Sequence, residues 1–218
     1  MTKTNSSKLR RITPTDIRSR KGKEPAVCLV AYTAAMAKAL DTHVDLILVG
    51  DSLGMVLYGY DNTLKVTVDM MVLHGTAVVK ATKHACVVVD LPFGSYQESQ
   101  ELAYRNSATI LAQTGCSAVK LEGGLEMAET VTYLVQRGVP VMGHIGLTPQ
   151  HINTLGGFRV QGRTTSNAER LKADAIAMSE AGAFAIVAEA MPMETGAVIT
   201  KSATAPIIGI GAGESCDS

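Results

Sequence analysis

The chain has 218 residues, 46% hydrophobic and 18% charged, which is ample for one large core and too apolar for a disordered segment. Twenty basic and twenty acidic residues cancel, and aromatic residues make up 4% with no tryptophan, so nothing favours nucleic acid or an anionic membrane as partner. No apolar run approaches the roughly 20 residues of a membrane span.

The start, MTKTNSSKLRR, is polar and basic without the apolar h-region of a secretory signal. It reads as a flexible tail over residues 1–11, and a cytoplasmic location follows by default. Residues 12–218 read as one domain, because no Gly/Ser- or Pro-rich linker breaks them. The first strand-like run is AVCLVAY (26–32), followed by the helical TAAMAKAL (33–40). The second is VDLILVGDS (44–52). A long connection (53–67) and a helical stretch (68–83) lead to CVVVDLP (86–92). Ser95 can cap the next helix, closed by Gly115. AVKLEGG (118–124), a helix over 125–137 ending at Gly138, and VPVMGHIG (139–146) follow. A second long connection (147–165) precedes a helix that Ser166 can cap, with Gly182 behind it. FAIVAEAMP (184–192) and APIIGIGAG (205–213) complete the count.

Alternating periods of strand and helix predict an α/β fold with a parallel sheet, and near-continuous Val/Ile/Leu strands predict cover on both faces. A (β/α)8 barrel needs eight strands, whereas seven are visible. The expectation is a barrel whose eighth β/α unit lies beyond this sequence, because an incomplete barrel leaves two unpaired edges. The alternative is a doubly wound open sheet. The four cysteines, Cys28, Cys86, Cys116 and Cys216, lack metal-like spacing and read as small hydrophobes in a reducing compartment.

Polar residues stand where these strands stop, and in a parallel barrel all those ends open onto one functional face. Asp51, taken alone, fits an Asx turn or helix cap. Asp90 follows three β-branched residues, an unusual place for a simple turn. Lys120 and Glu122 share a strand face and fit a structural ion pair as well as a functional one. Together the three acids make a hard oxygen set suited to Mg2+. His144 ends the fifth run, where a lone histidine is commonly structural. Glu189 is flanked by apolar residues that should desolvate it and raise its pKa toward that of a general base. The GIGAG run (209–213) lacks the spacing of a dinucleotide fingerprint and reads as tight turns.

The segments ILVGDSLGMVLYGYDNTLKVTVDMM, VVVDLPFGSY, AVKLEGG, PVMGHIGLTPQ, GGFRVQGR, VAEAMP and PIIGIGAG, in that order from about residue 12 onward, resemble the ketopantoate hydroxymethyltransferase family. The resemblance implies a (β/α)8 TIM barrel of the phosphoenolpyruvate/pyruvate type. It implies transfer of a one-carbon unit from 5,10-methylenetetrahydrofolate to 3-methyl-2-oxobutanoate, through a Mg2+-stabilised enolate, in pantothenate and coenzyme A synthesis. It also implies Asp51, Asp90 and Glu122 as metal-site acids, and Asp51, Ser52, Asp90, Lys120 and His144 around the keto acid. Glu189 would be the proton acceptor, and a homo-oligomer, commonly a decamer, is implied. Two other classes remain open: a Mg2+-dependent carbon–carbon lyase or mutase of the isocitrate lyase/PEP mutase type, which would want a reactive loop cysteine, and a binding form without turnover.

Overall fold

The computed structural model describes residues 10–218, so most of the expected N-terminal tail lies outside the described residues. Seven strands are β1 (Cys28–Val30), β2 (Leu46–Val49), β3 (Cys86–Asp90), β4 (Ala118–Glu122), β5 (Val141–Gly146), β6 (Ala185–Glu189) and β7 (Ile207–Ile210). The helices are α1 (Pro14–Arg18), α2 (Ala34–Leu40), α3 (Leu53–Val56), α4 (Val68–Ala81), α5 (Gln100–Thr114), α6 (Ala128–Gln136), α7 (Ile152–Leu155), α8 (Thr165–Glu180) and α9 (Met193–Ser202). Every neighbouring strand pair is parallel, and the order in the sheet is the order in the chain. A doubly wound sheet would reverse its strand order at a switch point. The sequential order instead gives a nearly closed barrel of seven strands.

Period-two alternation divides the core in two. Leu46, Cys86, Val88, Ala118, Met142 and Val187 point inward and fill the barrel. Their neighbours Ile47, Val87, Val89, Val119, Ile186 and Ala188 point outward and pack under the helices. Each fully buried aliphatic side chain contributes on the order of 1.5–3 kcal/mol, so both layers are required. The inward row has a consequence for chemistry. Two residues beyond Val88 is Asp90, two and four beyond Ala118 are Lys120 and Glu122, two beyond Met142 is His144, and two beyond Val187 is Glu189.

Several boundaries differ from the sequence reading. Ser99, not Ser95, caps α5 through Leu102 N–H, while the Ser95 hydroxyl donates to Pro92 O in the preceding turn. Thr164, not Ser166, caps α8. In each case several hydroxyl residues were available, and the backbone conformation at the helix start chose among them. The short α1 was not foreseen. A capping box of Thr13 with Asp16 starts it, and its Ile17 is buried against the inner core. Both long connections contain a short helix, α3 and α7.

The edge strands β1 and β7 are bridged by residues 217–218 rather than paired. Gly209 N–H donates to Ser218 O (2.8 Å), and Ala26 N–H donates to Asp217 O (3.3 Å). The Asp217 carboxylate meets Lys21 Nζ at 2.9 Å and accepts from Gly22 and Ile207 N–H. The GIGAG run carries the turn after β7, with Gly211 and Gly213 at positive φ as tight turns require.

Candidate active site

The inward row assembles one buried polar cluster at the C-terminal strand ends. Register places Asp90 opposite Lys120, Glu122 opposite His144, and Gly146 opposite Glu189. Lys120 Nζ lies 3.0 Å from Asp90 Oδ1. Asp90 Oδ2 accepts from Asp51 N–H at 3.0 Å, which fixes the turn after β2. His144 Nδ1 lies 3.1 Å from Lys120 Nζ and 3.4 Å from Glu122 Oε1, and its Nε2 is 3.1 Å from Glu189 Oε2. Ser52 Oγ is 2.8 Å from Tyr32 Oη at the rim. All seven residues singled out in the sequence therefore converge. Gly146 has to be glycine, since a Cβ there would sit 2.3 Å from Glu189 O.

The electrostatics depart from the sequence reading. Burial, reinforced by the charges of Asp90 and Glu122, pushes the Asp51 carboxyl up to about 7, although Lys120 and Gln150 oppose this. Burial also raises Asp90, against the pull of Lys120 and of Asp51 N–H. For Glu122 burial is outweighed by His144, Lys120 and the Gln150 N–H, and its pKa is lowered. Burial would lower Lys120, but Asp90, Glu122 and Asp51 together raise it. Burial and Lys120 would lower His144, yet Glu122 and Glu189 hold it above the ordinary histidine value. Glu189 was expected to be the desolvated acid. Its side chain instead keeps 23% of its exposure and is paired with His144, because it stands at the outermost level of the inward row. The acids disfavoured in their ionised forms at this site are Asp51 and Asp90.

Gln150 was missed by sequence reasoning. Its Nε2 donates to Asp51 Oδ2 and to Leu91 O, both at 2.9 Å. Its Oε1 accepts from Tyr96 Oη at 2.7 Å and Gln97 Nε2 at 3.2 Å, and its backbone N–H donates to Glu122 Oε2 at 2.9 Å. One buried amide thus ties the second, third and fourth strand ends together. An amide after a proline in a long loop carries no local signal of that role. A second unforeseen feature follows Glu189. Ala190 has φ +51°, and its carbonyl accepts from Gln161 N–H at 2.8 Å, which fastens the connection after α7 to the end of β6.

No group of three or more His, Cys, Asp or Glu among the described residues forms a ready-made metal cage. Asp51 and Asp90 nevertheless fit a hard divalent cation. Asp90 Oδ1 faces only the Lys120 ammonium, at 3.0 Å, and two crowded carboxylates with raised pKa values are what a cation between them would relieve. Both oxygens of Glu122 are engaged, by His144 and by Gln150 N–H. Two of the cysteines are far from this face. Cys28 and Cys86 begin their strands at the opposite end, and burial pushes their thiols up to about 11 and about 12.

A family profile described as ketopantoate hydroxymethyltransferase matches residues 11–218. The chain is 59% identical to the 3-methyl-2-oxobutanoate hydroxymethyltransferase of Paracoccus denitrificans, over 94% of this chain and 74% of the relative. It is 60% identical to the protein of that name from Rhodospirillum rubrum, over 95% and 76%. It is 56% identical to that of Rhodospirillum centenum, over 100% and 78%. Among solved structures, phosphonopyruvate hydrolase in complex with oxalate and Mg2+ superposes with a TM-score of 0.64 at 14% identity, covering 90% of this chain and 71% of that one. 2,3-Dimethylmalate lyase, of the PEP mutase/isocitrate lyase superfamily, gives 0.60 at 14% identity, over 89% and 70%. At that identity the structures speak for the barrel fold alone.

Proposed function

This chain belongs to the ketopantoate hydroxymethyltransferase family, and from that premise we propose that it transfers a hydroxymethyl group from 5,10-methylenetetrahydrofolate to 3-methyl-2-oxobutanoate, yielding 2-dehydropantoate for pantothenate synthesis. The observation that carries the reading is the buried pairing of Lys120 with Asp90 beside His144, which itself bridges Glu122 and Glu189. A cation and a histidine held above its ordinary pKa face carboxylates, as deprotonation beside a carbonyl requires.

Asp51 and Asp90 would hold Mg2+, with Glu122 as the third acid of the site. When bound, the ion withdraws electron density from the 2-oxo group and makes C3–H more acidic. Lys120, fixed by Asp90, neutralises negative charge on the keto acid. Ser52, held by Tyr32, orients it from the rim. Glu189 takes the C3 proton, and His144 Nε2, 3.1 Å away, aims the carboxylate and compensates its charge. One of the two carbon–nitrogen bonds of the folate's methylene carbon breaks, its electron pair staying on the nitrogen, which takes up the proton held by Glu189, and the C3 electron pair forms the new carbon–carbon bond. Water replaces the remaining carbon–nitrogen bond, which leaves CH2OH on the product and releases tetrahydrofolate.

The test is proton NMR of 3-methyl-2-oxobutanoate in D2O with this chain. Magnesium-dependent loss of the C3–H signal is expected. Glu189→Gln should slow it by roughly 10²–10⁴-fold, the usual contribution of a general base, with keto-acid binding retained. Near-normal exchange in that variant would remove Glu189 from the base role.

A further inference from the structure

Beside the acid cluster, between the loop after β4, the start of α7 and the middle of α8, lies a cavity of about 250 Å³. None of the roles assigned above uses it, yet it abuts the reacting residues. Its barrel-side wall includes Gly146, which stands in register with Glu189. Another wall is His151, whose Nδ1 is buried without a hydrogen-bond partner and lies 4.0 Å from Glu122 Oε2.

The chemistry of the lining is specific. Asp174, 9% exposed, forms part of the wall. Its Oδ1 accepts from Leu125 N–H at 3.0 Å, while Oδ2 has no protein partner among the described residues. The carboxyl is held there by backbone fit: a Cβ on Gly124 would lie 2.2 Å from Asp174 Cγ, so only glycine lets the β4 loop approach so closely. Burial, with Glu126 adding to it, raises the Asp174 pKa against the pull of Leu125 N–H and Arg170. Leu171, Leu155 and Ile145 give apolar walls, and exposed Arg170 and Glu126 stand at the mouth.

Such a cavity selects a compact ring with apolar faces and N–H donors along one edge. Its volume falls below the roughly 300–1,000 Å³ of sites for drug-sized ligands, so it suits a fused bicyclic ring without a long tail. The anionic keto acid is disfavoured by Asp174 and Glu126. We infer that this cavity seats the pterin head of the folate co-substrate, with Asp174 accepting from the amino and N3–H edge and Arg170 meeting the anionic tail at the mouth. This rests on the transferase reading above and assigns that reaction's second substrate its place.

The probe is 6-methyltetrahydropterin, which carries the head and no tail, titrated calorimetrically into this chain. Asp174→Asn keeps an oxygen for Leu125 N–H but presents an amide to the cavity, and should weaken binding at least tenfold. Leu155→Trp fills the cavity from the α7 side and should abolish binding; it decides the matter should Asp174→Asn not fold. Arg170→Ala should weaken tetrahydrofolate more than the tailless pterin. Failure of the wild-type chain to bind the pterin, or binding unchanged in both Asp174→Asn and Leu155→Trp, overturns the assignment. The D2O exchange experiment needs no folate, so absence of exchange with pterin still bound would strike the transferase reading and leave the cavity's ligand in place.

Discussion

Gln150→Leu removes every polar atom of the side chain that links the ends of β2 and β3 while nearly conserving its volume, so the loss isolates hydrogen bonding from packing. Two donated bonds disappear, to the Asp51 carboxylate and to Leu91 O. A bond to a charged acceptor contributes about 1.5–3 kcal/mol and one to a neutral carbonyl about 1 kcal/mol, giving a loss of about 3 kcal/mol when Asp51 is ionised. Tyr96 Oη keeps its contacts with Glu122 O and N, which limits any further cost. The Asp51 carboxyl sits at about 7, so the bond is charge-assisted at about pH 8 and neutral at about pH 5.5. Urea unfolding should therefore show a larger loss at the higher pH, by about 1 kcal/mol. Removing this donor also makes Asp51 harder to ionise, so magnesium affinity measured calorimetrically should fall at neutral pH. A stability loss below about 1 kcal/mol at the higher pH, or one that does not change with pH, refutes the role given to Gln150.

Three other expectations follow from the same geometry. Lys120→Met leaves Asp90 buried without its partner and should cost about 3–5 kcal/mol in denaturant unfolding; a loss under about 1 kcal/mol would mean that the pair contributes little. Asp51 has a folded pKa raised above its unfolded value, so the stability it permits is intact at low pH and is lost as pH climbs to about 7. That loss is about 4 kcal/mol, and magnesium should restore it, raising the melting temperature more at about pH 8 than at about pH 5.5; equal shifts at both would argue against a cation at Asp51. Ala190→Gly relieves a left-handed conformation costing about 1–2 kcal/mol against a chain-entropy penalty of about 0.5–1 kcal/mol, so thermal unfolding should show a slight gain, and a clear destabilisation would contradict the strain at φ +51°.

Sequence alone determined the strands, their parallel arrangement and the shared strand face of Lys120 and Glu122. Two-residue alternation is a property of the extended backbone, so Lys120 and Glu122 could be put on one face before any contact was known, while the closed sheet decided that this face, with Val88 and Ala118 below it, points into the barrel. The long ordered blocks around GDS, KLEGG and AEAMP likewise carried the family resemblance. Tertiary structure decided what no local pattern encodes. Helix caps fell on Ser99 and Thr164 because the backbone conformation selects among nearby hydroxyls. Gln150 became a hub because a loop after β5 folds over the ends of β2, β3 and β4. Desolvation fell on Asp51 rather than Glu189, because burial depends on how far down the barrel mouth each carboxylate sits, and that depth is set by the whole sheet rather than by flanking residues.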